Sequence, residues 1–292
     1  MKNNFNKGLI LTSLGSFWWG FIGVIYFEFV SFIGHVELVV HRCLWTAVML
    51  IITTTFLKKW KIFINITSNF KIIISLFFSG FLIFINWAVW IYAVASDQII
   101  DASFGYFIMP IISVLLGYIF FKESLNKKRI FSIILVFISI LILVFLNLKS
   151  LPWVGLIVAF SWAFYNLIRK KINIDTDIGL LIESLFIFPF ALIVFYLIFK
   201  NGYNDFSISK PGLSLFLILA GPMTVIPLFL YVRGVELIGL GPTGMIFYIT
   251  PTFQFILGYF YYGEDFSLVK FLSFIIIWIA VVIYLNDLYE KN

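Results

Sequence analysis

The sequence predicts an all-α polytopic membrane protein, with ten transmembrane helices as two inverted five-helix repeats. Three observations carry that reading. The 292 residues are 62% hydrophobic and 12% charged, with a mean hydropathy of +1.08. A soluble domain carries roughly 25% charge and 45–50% apolar residues, so this chain lacks the polar surface to coat a water-soluble globule. Apolar runs of spanning length recur along the chain. Finally, the stretch Asp101–Leu125 returns, altered, at Pro242–Phe266 with a gapless shift of 141 residues. Ile108, Pro110, Leu116, Gly117, Tyr118 and Glu123 recur as Ile249, Pro251, Leu257, Gly258, Tyr259 and Glu264. A period of half the chain points to a duplicated unit, the usual build of a secondary transporter in a membrane chain.

Spans fall near 8–27, 36–57, 71–94, 99–121, 129–147, 152–170, 178–199, 211–232, 239–262 and 266–285. They divide into a first repeat, 1–148, and a second, inverted repeat, 149–292. Helices are expected because every backbone polar group in lipid must be satisfied internally, and no period-2 alternation suggests a barrel. Span one follows Lys2 and Lys7 and has no A-x-A-like cleavage site, so it reads as a retained helix rather than a signal peptide.

Lys and Arg set the orientation. With the N-terminus in the cytoplasm, the inner side holds Lys2, Lys7, Lys58, Lys59, Lys61, Lys71, Lys122, Lys127, Lys128, Arg129, Arg169, Lys170, Lys171, Arg233 and Lys291, and the outer side holds Lys149, Lys200, Lys210 and Lys270. Fifteen against four places both termini in the cytoplasm. Five spans per half is odd, so the second half enters from the opposite side. The loop after the first copy is basic (Lys122–Arg129), and the matching loop after the second carries Glu264 and Asp265.

Polar groups inside the spans are costly and therefore functional candidates. Helix 2 carries Glu37, His41 and Arg42; the first two share a face, and Arg42 is turned about 100° from His41. Histidine titrates near physiological pH and suits a proton relay. Glu183 lies in helix 7, the counterpart of helix 2, as a second cavity acid or as a partner for Arg42. Helix 3 aligns Asn86, Trp90, Ala93 and Asp97 on one face, with Asp97 and Asp101 as solvated caps at the outer mouth. Tyr106, Tyr165, Tyr248 and Gln254 complete the expected substrate lining. Trp18, Trp19 and Trp153 are cavity or interface-belt residues. Pro110 and Pro251, symmetry mates in mid-span, are the expected gating kinks; Gly221, Pro222 and Pro227 mark a break in helix 8, and Gly239, Gly241, Pro242 and Gly244 open helix 9. The Arg169-Lys170-Lys171 triplet reads as a topology anchor.

There is no P-loop, no G-x-S-x-G, no H-E-x-x-H and no Cys/His metal spacing. His35 and His41 are the only histidines and Cys43 the only cysteine. No cofactor or metal, no nucleic acid partner and no enzyme activity are expected.

Glu37-x-x-x-His41-Arg42-x-x-Trp45, Asn86-Trp87, Ala102-Ser103-x-Gly105-Tyr106-Phe107-Ile108-x-Pro110, Ala159-Phe160-Ser161-x-Ala163-Phe164-Tyr165, Arg169-Lys170-Lys171 and Gly179–Glu183 resemble the RarD branch of the EamA family, within the drug/metabolite transporter superfamily. The resemblance covers essentially the whole chain. It implies a 5+5 inverted repeat, an inner-membrane location and small-molecule permeation by alternating access. Members of the branch are linked to chloramphenicol sensitivity, which is not a demonstrated substrate. A cavity with an arginine, acids and aromatics suits a small polar or zwitterionic metabolite, an amino acid or relative, with export as the direction typical of the superfamily. Uptake or exchange, efflux of drug-like compounds, a membrane-embedded enzyme and a lipid scramblase are the alternatives. Protons are the candidate coupling ion, through His41 or Glu183, and a homodimer is left open.

Overall fold

The structure is a computed structural model that describes residues 2–95, 99–147, 153–263 and 268–290. The described residues are helical with short connections, and no strand occurs among them. Helix α1 (Lys2–Phe17) runs through a π-helical turn, Trp18–Ile22, into α2 (Gly23–Phe29). Then come α3 (His35–Phe56), a short α4 (Trp60–Thr67), α5 (Phe70–Ala95), α6 (Ile99–Phe121) and α7 (Lys127–Asn147). The second half holds α8 (Trp153–Ile172), α9 (Thr176–Lys200), α10 (Pro211–Ile238), α11 (Leu240–Ile246), α12 (Ile249–Phe260) and α13 (Leu268–Glu290). Among the described residues six helices are long and apolar enough to cross a membrane, and Gly105–Phe121 is a shorter apolar one. Their outward faces carry large apolar side chains, such as Phe56 (81% exposed) and Phe190 (69%). Such a continuous apolar exterior is stable against acyl chains and not against water.

Three local features differ from the sequence expectation. Helix α4 fills a stretch read as loop. Helix α10 passes unbroken through Pro222 and Pro227. Between the two prolines the Thr224 hydroxyl donates to the Ala220 carbonyl at 2.8 Å. The symmetry mates Pro110 and Pro251 are not equivalent. Pro110 lies inside the continuous α6. Pro251 occupies the first turn of α12, where a missing N–H costs nothing, and the break falls one step earlier at Phe247–Tyr248, between α11 and α12. Asp97, Glu264 and Asp265, and the side chain of Asp101, lie outside the described residues.

The largest apolar core sits where the two halves meet, and joins Val40 and Leu50 to Trp87, Trp162, Tyr165, Leu181, Tyr231 and Phe247. Helix pairing follows an exchange of halves. The pairing of α1 with α10 corresponds to that of α8 with α5, and α3 with α10 to α9 with α5. The contact of α6 with α8 corresponds to that of α12 with the π turn, while α3–α9, α6–α11 and α7–α13 map onto themselves. Close approach at the α12 contact requires Gly20, since a Cβ there would stand 2.7 Å from the Thr250 carbonyl oxygen.

Candidate functional site

A cavity of about 90 Å³ opens between the halves. On a scale where one water needs roughly 10–15 Å³, it has room for a compact small molecule. Trp19, Gly23, Val24 and Phe27 form one wall; their spacing of four places three of them on a single helical face. Arg42 comes from α3, Asn86, Trp87 and Trp90 from α5, and Tyr106 from α6. Trp162 from α8, Phe247 at the α11–α12 break, and Thr250 and Gln254 from α12 close the other side.

Among the described residues Arg42 is the only charged side chain in this lining. Its Nε donates to Thr224 Oγ1 at 3.0 Å, and its guanidinium carbon stands 4.5 Å from the Trp87 ring centroid and 5.9 Å from that of Phe27. No carboxylate lies within ion-pair distance of it among the described residues. Asn86 is fixed by donation to the Val158 carbonyl at 2.9 Å and to Ser161 Oγ at 3.1 Å. The base of the cavity is an aromatic cluster. Trp19 meets Trp162 at 5.2 Å, Trp162 meets Tyr231 at 5.5 Å, and Tyr231 meets Phe247 at 5.5 Å. These rings separate the cavity from the opposite end of the bundle.

Of the residues singled out from sequence, Arg42, Asn86, Trp90, Tyr106 and Gln254 are brought together here. Glu37, His41, Tyr165, Glu183 and Tyr248 are placed elsewhere. Both Glu37 oxygens accept from the Asp205 amide at 2.9 Å, and Oε1 also accepts from Phe206 at 3.0 Å, which pins the α9–α10 loop to α3. His41 accepts from Trp45 through Nδ1 at 3.0 Å and packs between Phe195 and Phe206. Glu183 accepts from Ser79 at 2.5 Å and from the Tyr165 hydroxyl at 3.2 Å, and faces Arg169 at 3.6 Å. It is therefore the partner of Arg169, not of Arg42. Tyr248 donates to the Phe107 carbonyl at 2.8 Å. Trp153 is 44% exposed and belongs to the exterior.

Sequence reasoning missed three features. Thr224 orients Arg42 from 182 residues away. Arg169, read as a surface anchor, is 1% exposed and lies between Glu183 and Glu236 (3.8 Å), donating to the Thr176 carbonyl at 3.0 Å. Gly179 is what makes room for that guanidinium, because a Cβ would overlap it. Glu123, at the other end of the bundle, accepts from the Leu240 and Gly241 amides at 2.8 and 2.9 Å and so caps the start of α11. Burial raises its carboxyl above the ordinary value of 4.5, against the opposing pull of the Gly241 and Leu240 N–H groups. Among the described residues no group of His, Cys, Asp and Glu could hold a metal.

A profile of the EamA-like transporter family matches residues 6–145 and again 150–286. The chain is similar to the "Uncharacterized transporter YojE" of Bacillus subtilis (strain 168), 35% identical over 281 residues, or 95% of this chain and 93% of that protein. It is similar to "Protein RarD" of Escherichia coli (strain K12), 31% identical over 281 residues, with 96% and 94% covered. It is 22% identical over 251 residues to the "Chloramphenicol-sensitive protein RarD" of Pseudomonas aeruginosa, covering 85% and 83%. A solved chain described only as "Crystal structure of protein" superposes with a TM-score of 0.71 at 10% identity, covering 95% and 96% of the two chains, which is a likeness of fold alone.

Proposed function

The chain is a RarD-type member of the EamA-like transporter family and a multi-pass membrane transporter; from that premise we propose that it moves a small polar or zwitterionic metabolite, an amino acid or relative, by alternating access through the Arg42 cavity. The observation that carries this reading is the cavity itself: one set of polar groups (Arg42, Asn86, Gln254) inside an aromatic shell, drawn from both halves of the chain. Apolar enclosure with a few convergent polar groups is the usual form of a small-molecule site.

Ten crossings in two inverted repeats, 1–148 and 149–292, are part of the proposal. The double family match and the exchange of helix pairings support it. With basic loops in the cytoplasm and both termini inside, in a plasma membrane, the cavity faces outward. Two features then close the inner side: the Trp19–Trp162–Tyr231–Phe247 cluster and the Glu123 seat on α11. Opening inward requires those contacts to part while the outer walls, α2 and the Trp90 end of α5, converge. The Phe247–Tyr248 break between α11 and α12 supplies a hinge at cavity depth. Export is the direction proposed, with loading from the inward-open counterpart of this state. His41 and Glu183 stand outside the cavity, so a proton taken by either would act through α3 or α9 and not by contact with cargo.

The test is counterflow in proteoliposomes, after a thermal-stabilisation screen of amino acids and related metabolites. Asn86→Leu and Gln254→Leu abolish counterflow of the stabilising metabolite, and Gln254→Leu does so while leaving the unliganded unfolding temperature within about 2 °C. Undiminished counterflow in both variants would overturn the cavity as the substrate site.

A further inference from the structure

We infer that the cavity recognises its cargo through a carboxylate held by Arg42 and a planar ring held by the aromatic walls, an ammonium group being dispensable. The inference rests on the reading of the cavity as the substrate site and names the substrate class within it: small aromatic carboxylates.

The first argument is electrostatic. Two other arginines of this chain are buried, and both have acids. Arg129 meets Asp287 at 2.8 Å, and Arg169 meets Glu183 and Glu236. Arg42 has none among the described residues; Glu183, which sequence offered as its partner, and Glu37, on its own helix, are both taken. Glu37 is spent on the Asp205 and Phe206 amides, and Glu183 on Ser79, Tyr165 and Arg169. An unneutralised guanidinium at membrane depth is costly unless an anion joins it. The vacant partner is therefore an anion that arrives from solution.

The second argument is geometric. Thr224 holds Nε at one edge, and Trp87 lies over the guanidinium carbon at 4.5 Å. Arg42 lines the cavity, and among the described residues its two terminal nitrogens carry no hydrogen bond or ion pair, which leaves them as a fork for a ligand. A fork held at its back and face matches a carboxylate in the bidentate manner, which a point charge such as lysine does not reproduce. Beside the fork, Trp90 and Tyr106 meet at 5.3 Å and Tyr106 and Phe247 at 5.7 Å. Ring faces so arranged favour a stacked or edge-on planar guest. Among the described residues no acidic side chain lines the cavity, so none of them demands an ammonium.

The test uses the purified full-length chain, with unfolding followed by a thiol-reactive dye at Cys43, the single cysteine, which is buried. The probes are phenylacetate, its neutral amide phenylacetamide, the cation benzylamine, and the ringless propanoate. Phenylacetate is expected to raise the unfolding temperature at a concentration at least about tenfold below that needed by the other three, the factor expected for one charge-assisted contact. Arg42→Lys weakens phenylacetate by about tenfold, and Arg42→Gln removes the preference for acid over amide. If Arg42→Gln fails to fold, the wild-type ranking and Arg42→Lys decide. Equal stabilisation by benzylamine or phenylacetamide overturns the inference, as does equal binding of phenylacetate by Arg42→Lys. A metabolite without a carboxylate or ring that is carried and is lost in Asn86→Leu would sink this inference and leave the cavity reading standing. Undiminished counterflow in the Asn86 and Gln254 variants would sink both.

Discussion

Removing the Glu123 carboxylate should loosen the end of the bundle opposite the cavity. The side chain reaches α11 because Lys122 adopts φ 54° and turns the chain back, with the Glu123 amide donating to the Gly117 carbonyl at 3.1 Å. Its two oxygens then satisfy two of the amide groups that α11 leaves orphaned at its start. Hydrogen bonds to a charged group contribute about 1.5–3 kcal/mol each. Glu123 is only partly buried, so the lower part of that range applies, and the pair is worth about 2–4 kcal/mol. Glu123→Ala forfeits both bonds. Glu123→Gln keeps one acceptor and turns an NH₂ group toward an amide N–H, and should cost about half as much. With about 2–4 °C per kcal/mol for a chain of this order of size, Glu123→Ala lowers the unfolding temperature by roughly 4–16 °C. The dye assay at Cys43 reads this directly. A shift below about 1 °C for Glu123→Ala would refute the reasoning. Gly239→Ala supplies a cross-check. Gly239 has φ 94°, and a Cβ there would collide with the same carboxylate, so its cost should shrink when Glu123 is already alanine.

Gly179→Ala should cost about 2–4 kcal/mol by expelling the Arg169 guanidinium from between Glu183 and Glu236, and the cost should largely vanish in an Arg169→Met background when the double-mutant cycle is measured. Lys59 bonds Asp175 and Asp177 at 3.1 and 2.9 Å. Burial lowers its pKa, but the bonds to Asp177 and then Asp175 raise it by more, above the ordinary 10.5. Because the folded value is the higher one, the stabilisation is fully present below pH 10.5 and is lost as pH rises through the folded pKa. The advantage of wild type over Lys59→Met, about 1–2 kcal/mol at neutral pH, should therefore stay constant from pH 7 to about 10 and shrink above that in thermal melts. Glu37→Gln should speed proteolysis of the α9–α10 loop, since two backbone amides, of Asp205 and Phe206, converge on that carboxylate.

What was legible in the sequence follows the range of each interaction. The helical spans could be read because hydropathy is local, and the repeat because Pro, Gly-Tyr and Glu keep register. The convergence of Arg42, Asn86, Trp90, Tyr106 and Gln254 was legible because polar and aromatic groups at membrane depth need a common cavity. Phe27 could have been added from its spacing of eight to Trp19, which sequence offers as a cavity or interface-belt residue. Glu37 and His41 look identical in sequence to cavity groups. What takes Glu37 out of the cavity is backbone amides 168 and 169 residues away, for which no side chain gives a signal, and His41 is held by Trp45, Phe195 and Phe206. Arg169 was hidden by its neighbours, since in a basic triplet on a helix one member turns inward while the others stay at the surface. The glycine at position 179 is the only mark it leaves in the sequence.

The most direct test of the central claim, a carrier of two oppositely inserted halves with its cavity open to the outside, is single-cysteine labelling in sealed cells. In a Cys43→Ser background, a membrane-impermeant maleimide should reach Gln254→Cys and Lys270→Cys from the outer face. Lys127→Cys should react only after the membrane is opened, and phenylacetate or another stabilising metabolite should slow labelling at Gln254→Cys. Labelling of Lys127→Cys and Lys270→Cys from the same side would contradict the inverted halves, and labelling of Gln254→Cys from the inner side alone would contradict the outward cavity.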